Sequence, residues 1–450
     1  MSDDRKDIEA GDTAPMKIIQ IVPGSGNAFY CQNCLRDVAM VQALRALGHD
    51  VVLVPMYLPL FGESAGLQTT APVFYGAVSL YLKHLVPSLR RAPRWVTRLL
   101  DAPPVLAWAA RKAGATRAEG MEELTLSMLR GEQGRQAEEL ERLADWLAAD
   151  TPPDVIHISN ALLLGLARRL KQRLGVRLVC SLQDEDTWIE AMAPDKTGEI
   201  WAAMQERARD VDGFIAVSRH YADCMRQRLA LDEERIQIVP IGIETADYMA
   251  SPLPFDPPVI GFLSRLSQSE GFGLLVEAFV LLKQDPAFAA ARLIATGGQT
   301  GDDRALLTSV RRTLAAQGWG KDLTILDDFG KSARLAFLSK LTVLSVPALK
   351  GGAFGTFILE ALAAGVPVVQ PRLGAYTELV EATGGGVLYA PNDAATLAAA
   401  LKELLSAAAR VRQLGAQGRE AVRRGFSIQS TAVRLLDAYA ATRKSVKLKA

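Results

Sequence analysis

The residues best able to do chemistry cluster between positions 341 and 371, LTVLSVPALKGGAFGTFILEALAAGVPVVQP. A loop of small residues, KGGAFG from Lys350 to Gly355, runs into a helix predicted from about Thr356 to Ala364. The backbone N–H groups of a helix start have no partner within the helix and sit at its positive end, which suits a phosphate. Glu360 follows Thr356 by four positions, so the two share one helix face. A carboxylate aimed at the phosphate would repel it. Turned aside toward neutral hydroxyls, it makes charge-assisted hydrogen bonds to a ribose or a sugar. The stretch therefore reads as a nucleotide or phosphosugar site, with a strand, loop and helix carrying a surface glutamate as the plainer alternative.

Two further groups invite chemical readings. Near the start, the loop PGSGN carries Gly24 and Gly26 after a predicted strand, but Phe29 fills the third glycine position of a dinucleotide fingerprint. No acidic residue ends the next strand, so a nicotinamide dehydrogenase is disfavoured. Cys31 and Cys34 form a Cys-x-x-Cys at a helix start, where a redox pair is one use and small buried packing residues against the glycine loop is the preferred one. A zinc site would need two more ligands, and no second Cys-x-x-Cys exists.

These groups need a frame to hold them. Continuous apolar runs at 17–22, 50–54, 154–159, 176–182, 214–217, 236–240, 259–263, 292–295, 323–326, 342–346 and 367–370 read as buried parallel strands, with helices between them. Gly365 and Pro367 stop the helix that carries Glu360. Ligands of such open sheets bind beyond the carboxyl ends of the strands. The predicted organisation is a polar lead at 1–15, a first α/β domain at 16–245 with an insertion at 60–150, and a proline-rich linker at 246–258. A second α/β domain follows at 259–425, then a final helical segment at 426–450.

The stretch AFGTFILEALAAGVPVVQ resembles the signature of retaining glycosyltransferases of the GT-B fold, family 4. The resemblance implies an α/β chain of two Rossmann-like domains facing a cleft, with a final helix that crosses back onto the first domain. It also implies transfer of a hexosyl group from a nucleotide sugar to an acceptor that the sequence does not name. Glu360 stands at the family's ribose-binding glutamate, and Gly355, Thr356 and Phe357 supply N–H groups to the donor diphosphate. Gly24 and Gly26 approach that diphosphate from the first domain. Arg265, in SRLS, matches an arginine that clamps the leaving diphosphate, Gly298 lies in a glycine turn at the nucleotide's edge, and Phe329 lies where the family contacts the base. Gln183 takes the place of a sugar-binding histidine. The chain departs from the pattern at Gly352, where a donor-orienting glutamate is expected, and at Glu270, where a clamping lysine is expected. These departures keep two rivals open: a degenerate GT-B protein that binds nucleotide or a partner without transfer, and a sugar-nucleotide epimerase. No cofactor beyond the donor substrate is implied.

Composition bounds the rest. A chain of 450 residues, 49% hydrophobic and 22% charged, has material for two cores. Its net charge of +1 gives no case for nucleic acid. Apolar runs fall short of the about 18 residues of a membrane span, the first fifteen residues lack a signal-peptide core, and four cysteines suggest no disulfide framework. Together these predict a cytoplasmic protein. Residues 83–117 carry eight basic side chains against one acidic, interleaved with Trp95 and Trp108, a pattern able to make peripheral contact with an anionic membrane. Residues 119–150, with nine acids against three arginines, offer to neutralise them internally.

Overall fold

The computed structural model describes residues 14–24, 29–57, 74 and 118–447. Gly26 and the basic segment 83–117 lie outside the described residues. Two six-stranded sheets, parallel throughout, organise the chain. In the first, β1 (Lys17–Val22), β2 (Asp50–Pro55), β3 (Val155–Ile158), β4 (Arg177–Leu182), β5 (Gly213–Ala216) and β6 (Ile236–Ile238) run in the order 2-1-3-4-5-6. In the second, β7 (Val259–Leu263), β8 (Arg292–Thr296), β9 (Leu323–Leu326), β10 (Val343–Leu344), β11 (Val368–Pro371) and β12 (Gly386–Tyr389) run in the order 12-11-10-7-8-9. These are two Rossmann-like domains with helices on both faces, as the apolar runs predict.

Each sheet reverses its strand order beside its first strand, which opens a crevice at the carboxyl edge. At those edges the two domains meet. The Ser218 hydroxyl donates to the Ala353 carbonyl at 2.8 Å, and the N–H groups of Arg219 and His220 donate to the Glu378 carboxylate. The helix Ile428–Lys447 returns to the first domain: Ile428, Ala432, Leu435 and Tyr439 join a core with Ile18, Val41 and Val51. His157 lies in that packing, bonded to Tyr439 Oη and Ser181 Oγ, and burial pushes its pKa down to about 3. It is a neutral structural histidine.

Local departures from the sequence reading have physical causes. The helix expected between β3 and β4 starts as a 3-10 turn, Ala161–Leu166, and becomes α-helical only at Ala167–Leu174. Gly165 sits in that turn, where a Cβ would fall 1.9 Å from the Met128 carbonyl oxygen, so close backbone contact shapes the turn. Three acids of 119–150 pair with cations of their own domain: Glu141 with Arg169, Asp145 with Arg173, and Glu123 with Arg135 and Lys196.

Candidate functional site

The helix Thr356–Ala363 begins at the carboxyl edge of β10, and all eight of its residues are buried. Its position follows from the loop before it. Gly351 and Gly374 adopt positive φ where the loop passes the turn after β11, and a Cβ on Gly374 would lie 2.7 Å from the Gly352 carbonyl oxygen. Small residues thus let two loops close against each other and present the helix start to the cleft.

The N–H of Thr356 donates to Oε1 of Gln32, from the first domain, at 2.8 Å. The Thr356 hydroxyl is buried and has no hydrogen-bond partner among the described residues. One turn on, Glu360 is 2% exposed, and three groups converge on its carboxylate. Tyr30 donates to Oε2 at 2.5 Å, Tyr248 to Oε1 at 2.5 Å, and Arg334 Nε to Oε1 at 3.0 Å. Burial, followed by the neighbouring Glu360 charge, raises the pKa of both tyrosines, so each remains a hydroxyl donor. The Arg334 guanidinium also lies 5.4 Å from the Tyr30 ring centre and donates to the Phe329 carbonyl.

Thr356 and Glu360 line a cavity of about 320 Å³ between the domains, together with Arg36, Gln42, Tyr248, Lys331 and Arg334. The cavity combines a helix N-terminus, three cations and a carboxylate flanked by hydroxyls. Such a set can hold an anionic group beside a polyol.

The other predicted site residues occupy a wider arc. Arg265 is not in the cavity wall: its guanidinium pairs with Asp303 at 2.9 Å, donates to Thr300 and lies 5.9 Å from the Phe29 ring. Gly298 takes φ +77, accepts from the Leu266 N–H and bridges Phe29, while Gly297 accepts from the Tyr30 N–H. Gly24 has φ +102 at the end of β1. Gly355 caps the helix, and Phe357 is fully buried, edge-on to Tyr376 at 5.5 Å. Phe329 is half-buried and offers its carbonyl to Arg334. Gln183 is buried at the end of β4; its Nε2 donates to the Ser159 carbonyl and its Oε1 has no partner among the described residues.

One sequence reading is corrected. Cys31 and Cys34 are half-buried and bonded to each other as a disulfide, so they are neither separate packing residues nor a chain without disulfides. They close a tight turn at the start of the helix Gln32–Ala46, where the Cys34 N–H also meets the Cys31 sulfur. Tyr248, within the segment 246–258 expected as a linker, is 4% exposed and reaches Glu360.

Sequence reasoning missed Tyr30, Gln32, Tyr248 and Arg334. Arg334 had a signal, since Lys331 and Arg334 lie three apart on one helix face. The others had none, because their partner lies more than a hundred positions away.

Comparison with known proteins places this geometry. The family described as "Glycosyl transferase 4-like domain" matches residues 38–242, and "Glycosyl transferases group 1" matches residues 257–407. A D-inositol 3-phosphate glycosyltransferase of Xylanimonas cellulosilytica is 29% identical over 270 residues, a match spanning 56% of this chain and 62% of that protein. Among solved structures, sucrose-phosphate synthase of Thermosynechococcus elongatus aligns over 96% of this chain and 100% of its own, with a TM-score of 0.69 at 18% identity. Anabaena HepE in complex with UDP aligns over 95% of this chain and 100% of its own, with a TM-score of 0.66 at 16% identity. A glycosyltransferase family thus matches each domain, and the two-domain fold is shared with these solved structures over nearly the whole chain.

Proposed function

We propose that this chain transfers a hexosyl group from a nucleotide sugar to an acceptor, with retention at the anomeric carbon, in the manner of the family-4 enzymes that its signature resembles. The observation that carries the reading is the cavity between the domains. There the Thr356 N–H stands at a helix start, and Glu360 is ringed by hydroxyl and guanidinium donors. A ribose could exchange with the tyrosine hydroxyls on Glu360, and a phosphate oxygen with the Gln32 amide oxygen on Thr356.

Charge develops on the leaving diphosphate as the glycosidic bond breaks, so groups fixed around it favour the transition state. Arg334 and Lys331 border the cavity and would supply positive charge there, with Arg265 farther along the edge. UDP in the HepE structure supports a nucleoside diphosphate as ligand of this fold. Glycosyltransferase families on both domains favour transfer over the epimerase and the non-catalytic binder. No described helix is long and apolar enough to cross a membrane.

A thermal-shift panel of nucleoside diphosphates tests the binding half of the reading. At least one should raise the melting temperature of the wild type but not of Glu360→Ala. If none does, the reading is wrong. With the responding donor, NMR of the transferred sugar's anomeric proton distinguishes retention from inversion.

A further inference from the structure

A second set of polar groups faces the cleft just before the helix that carries Thr356, outside the wall of the cavity. Asp184 stands at the end of β4, at φ +57, and Glu270 lies in the loop after β7, so the two come from opposite domains. Each carboxyl is half-buried and spends one oxygen on a neighbour. Asp184 Oδ1 accepts from the Ala353 N–H at 3.2 Å, and Glu270 Oε2 accepts from the Ser264 hydroxyl at 2.9 Å. The remaining oxygen of each takes no hydrogen bond from a described residue.

Tyr376 is the independent sign of a ligand. It is 2% exposed, and its hydroxyl has no hydrogen-bond partner among the described residues. It feels the charges of both Glu270 and Asp184. Its hydroxyl would lie 3.0 Å from a Cβ at Gly352, so the glycine leaves open the space that this hydroxyl faces. Its hydroxyl oxygen is not sealed off, so a ligand in the cleft can reach it.

We propose that Asp184, Glu270 and Tyr376 bind the hydroxyls of the donor's sugar ring, the two carboxyls from the two sides of the cleft. The assignment rests on the nucleotide-sugar reading above. Its position fits, because Ala353 is three residues before Thr356, and a sugar linked to a phosphate there lies one group farther along the loop.

Its chemistry fits as well. Burial, then the nearby acids Asp186, Glu270 and Glu185, pushes Asp184 up to about 7, and burial raises Glu270. Asp184 therefore tends to retain a proton near neutral pH, so that it donates as well as accepts beside Glu270. A sugar hydroxyl both donates and accepts, so it matches that pair, whereas a divalent cation prefers both carboxyls ionised. Transfer itself breaks the sugar–phosphate bond and forms the sugar–acceptor bond; this pair holds the ring and exchanges no atoms with it.

The experiment measures calorimetric binding of UDP and UDP-glucose, and of GDP and GDP-mannose, to wild type, Asp184→Asn, Glu270→Gln and Tyr376→Phe. Each variant should lose about tenfold or more in affinity for the sugar nucleotide that wild type binds, the scale of one strong hydrogen bond. Affinity for the matching nucleoside diphosphate should be unchanged, or tighter in Glu270→Gln, where a negative charge is gone. Equal loss for both ligands, or no loss for either, overturns the assignment. So does a Mg²⁺ requirement for sugar-nucleotide binding that disappears in Asp184→Asn, because the pair would then be a cation site. If wild type binds neither diphosphates nor sugar nucleotides, the nucleotide reading itself fails. Should Asp184→Asn not fold, Glu270→Gln and Tyr376→Phe decide the matter.

Discussion

Two carboxylate sites face the same cleft and are built in opposite ways. Glu360 is buried with a guanidinium and two phenols on its oxygens. Asp184 and Glu270 are half-buried, each holds one hydrogen-bond donor, and neither is in a salt bridge with a described cation. A buried charge with full pairing is held in one geometry, and removal of its partner is costly. An under-partnered pair carries unspent hydrogen-bonding capacity and gains from whatever supplies it. The first arrangement makes a rigid support. The second makes a place where a ligand is rewarded.

The largest expected effect tests the rigid side of this contrast. Arg334→Ala leaves Glu360 buried without its cation and should cost about 3–5 kcal/mol of unfolding free energy in urea titration. A loss below about 1 kcal/mol would show that the phenols suffice, and the contrast would collapse. Next in size is ligand binding. Glu360→Ala should weaken the preferred nucleoside diphosphate by about 1.5–3 kcal/mol, with no change in its preference among sugars. Altered sugar preference in that variant would merge the two sites into one.

The third prediction concerns acidity on the open side. The folded pKa of Asp184, about 7, exceeds its ordinary 3.8, so the folded protein keeps a proton that the unfolded chain releases. The stability it contributes is complete below about pH 3.8 and is lost as pH rises through 7. Asp186, Glu185, Glu270, Tyr221 and Tyr376 all face it, and the acids among them add to the cost of ionisation. Asp184→Asn should therefore gain stability over wild type as pH goes from 5 to 8. Because the group is half-exposed, the gain is on the order of 1 kcal/mol. A constant difference across that range would mean that Asp184 ionises normally. The smallest effect serves as a control: Lys331 pairs with Asp247 at 2.5 Å with both side chains well exposed. Lys331→Ala should change stability by under about 0.5 kcal/mol.

How much of this was legible beforehand varied with the range of the interaction. Strands such as Lys17–Val22 and Val259–Leu263 declare themselves as apolar runs, because a parallel strand buried on both faces has no polar side to show. Thr356 and Glu360 were legible because a helix places residues four apart on one face. The partners of Glu360 were not, since Tyr30 and Tyr248 reach it only after two domains have folded and docked. Glu270 was legible as an anomaly in a motif, but its relation to Asp184 was not. Arg265, the neighbour that motif suggests, is committed to Asp303 instead. The disulfide between Cys31 and Cys34 was visible as a spacing, yet spacing alone does not distinguish a bond from two small packing residues.

The contact between Gln32 and Thr356 has a kinetic consequence. Gln32 Oε1 rests on the N–H to which a phosphate oxygen would bind, and two positions earlier Tyr30 rests on Glu360. A nucleotide bound as proposed would compete with the protein's own first domain, and its apparent affinity would equal the intrinsic one scaled by the fraction of molecules in which that contact is broken. If one molecule in a hundred is open, the handicap is about 2.7 kcal/mol. Observed association rates would then stop rising with nucleotide concentration and level off at the rate of domain separation. That plateau would time the cleft's opening in the absence of any ligand.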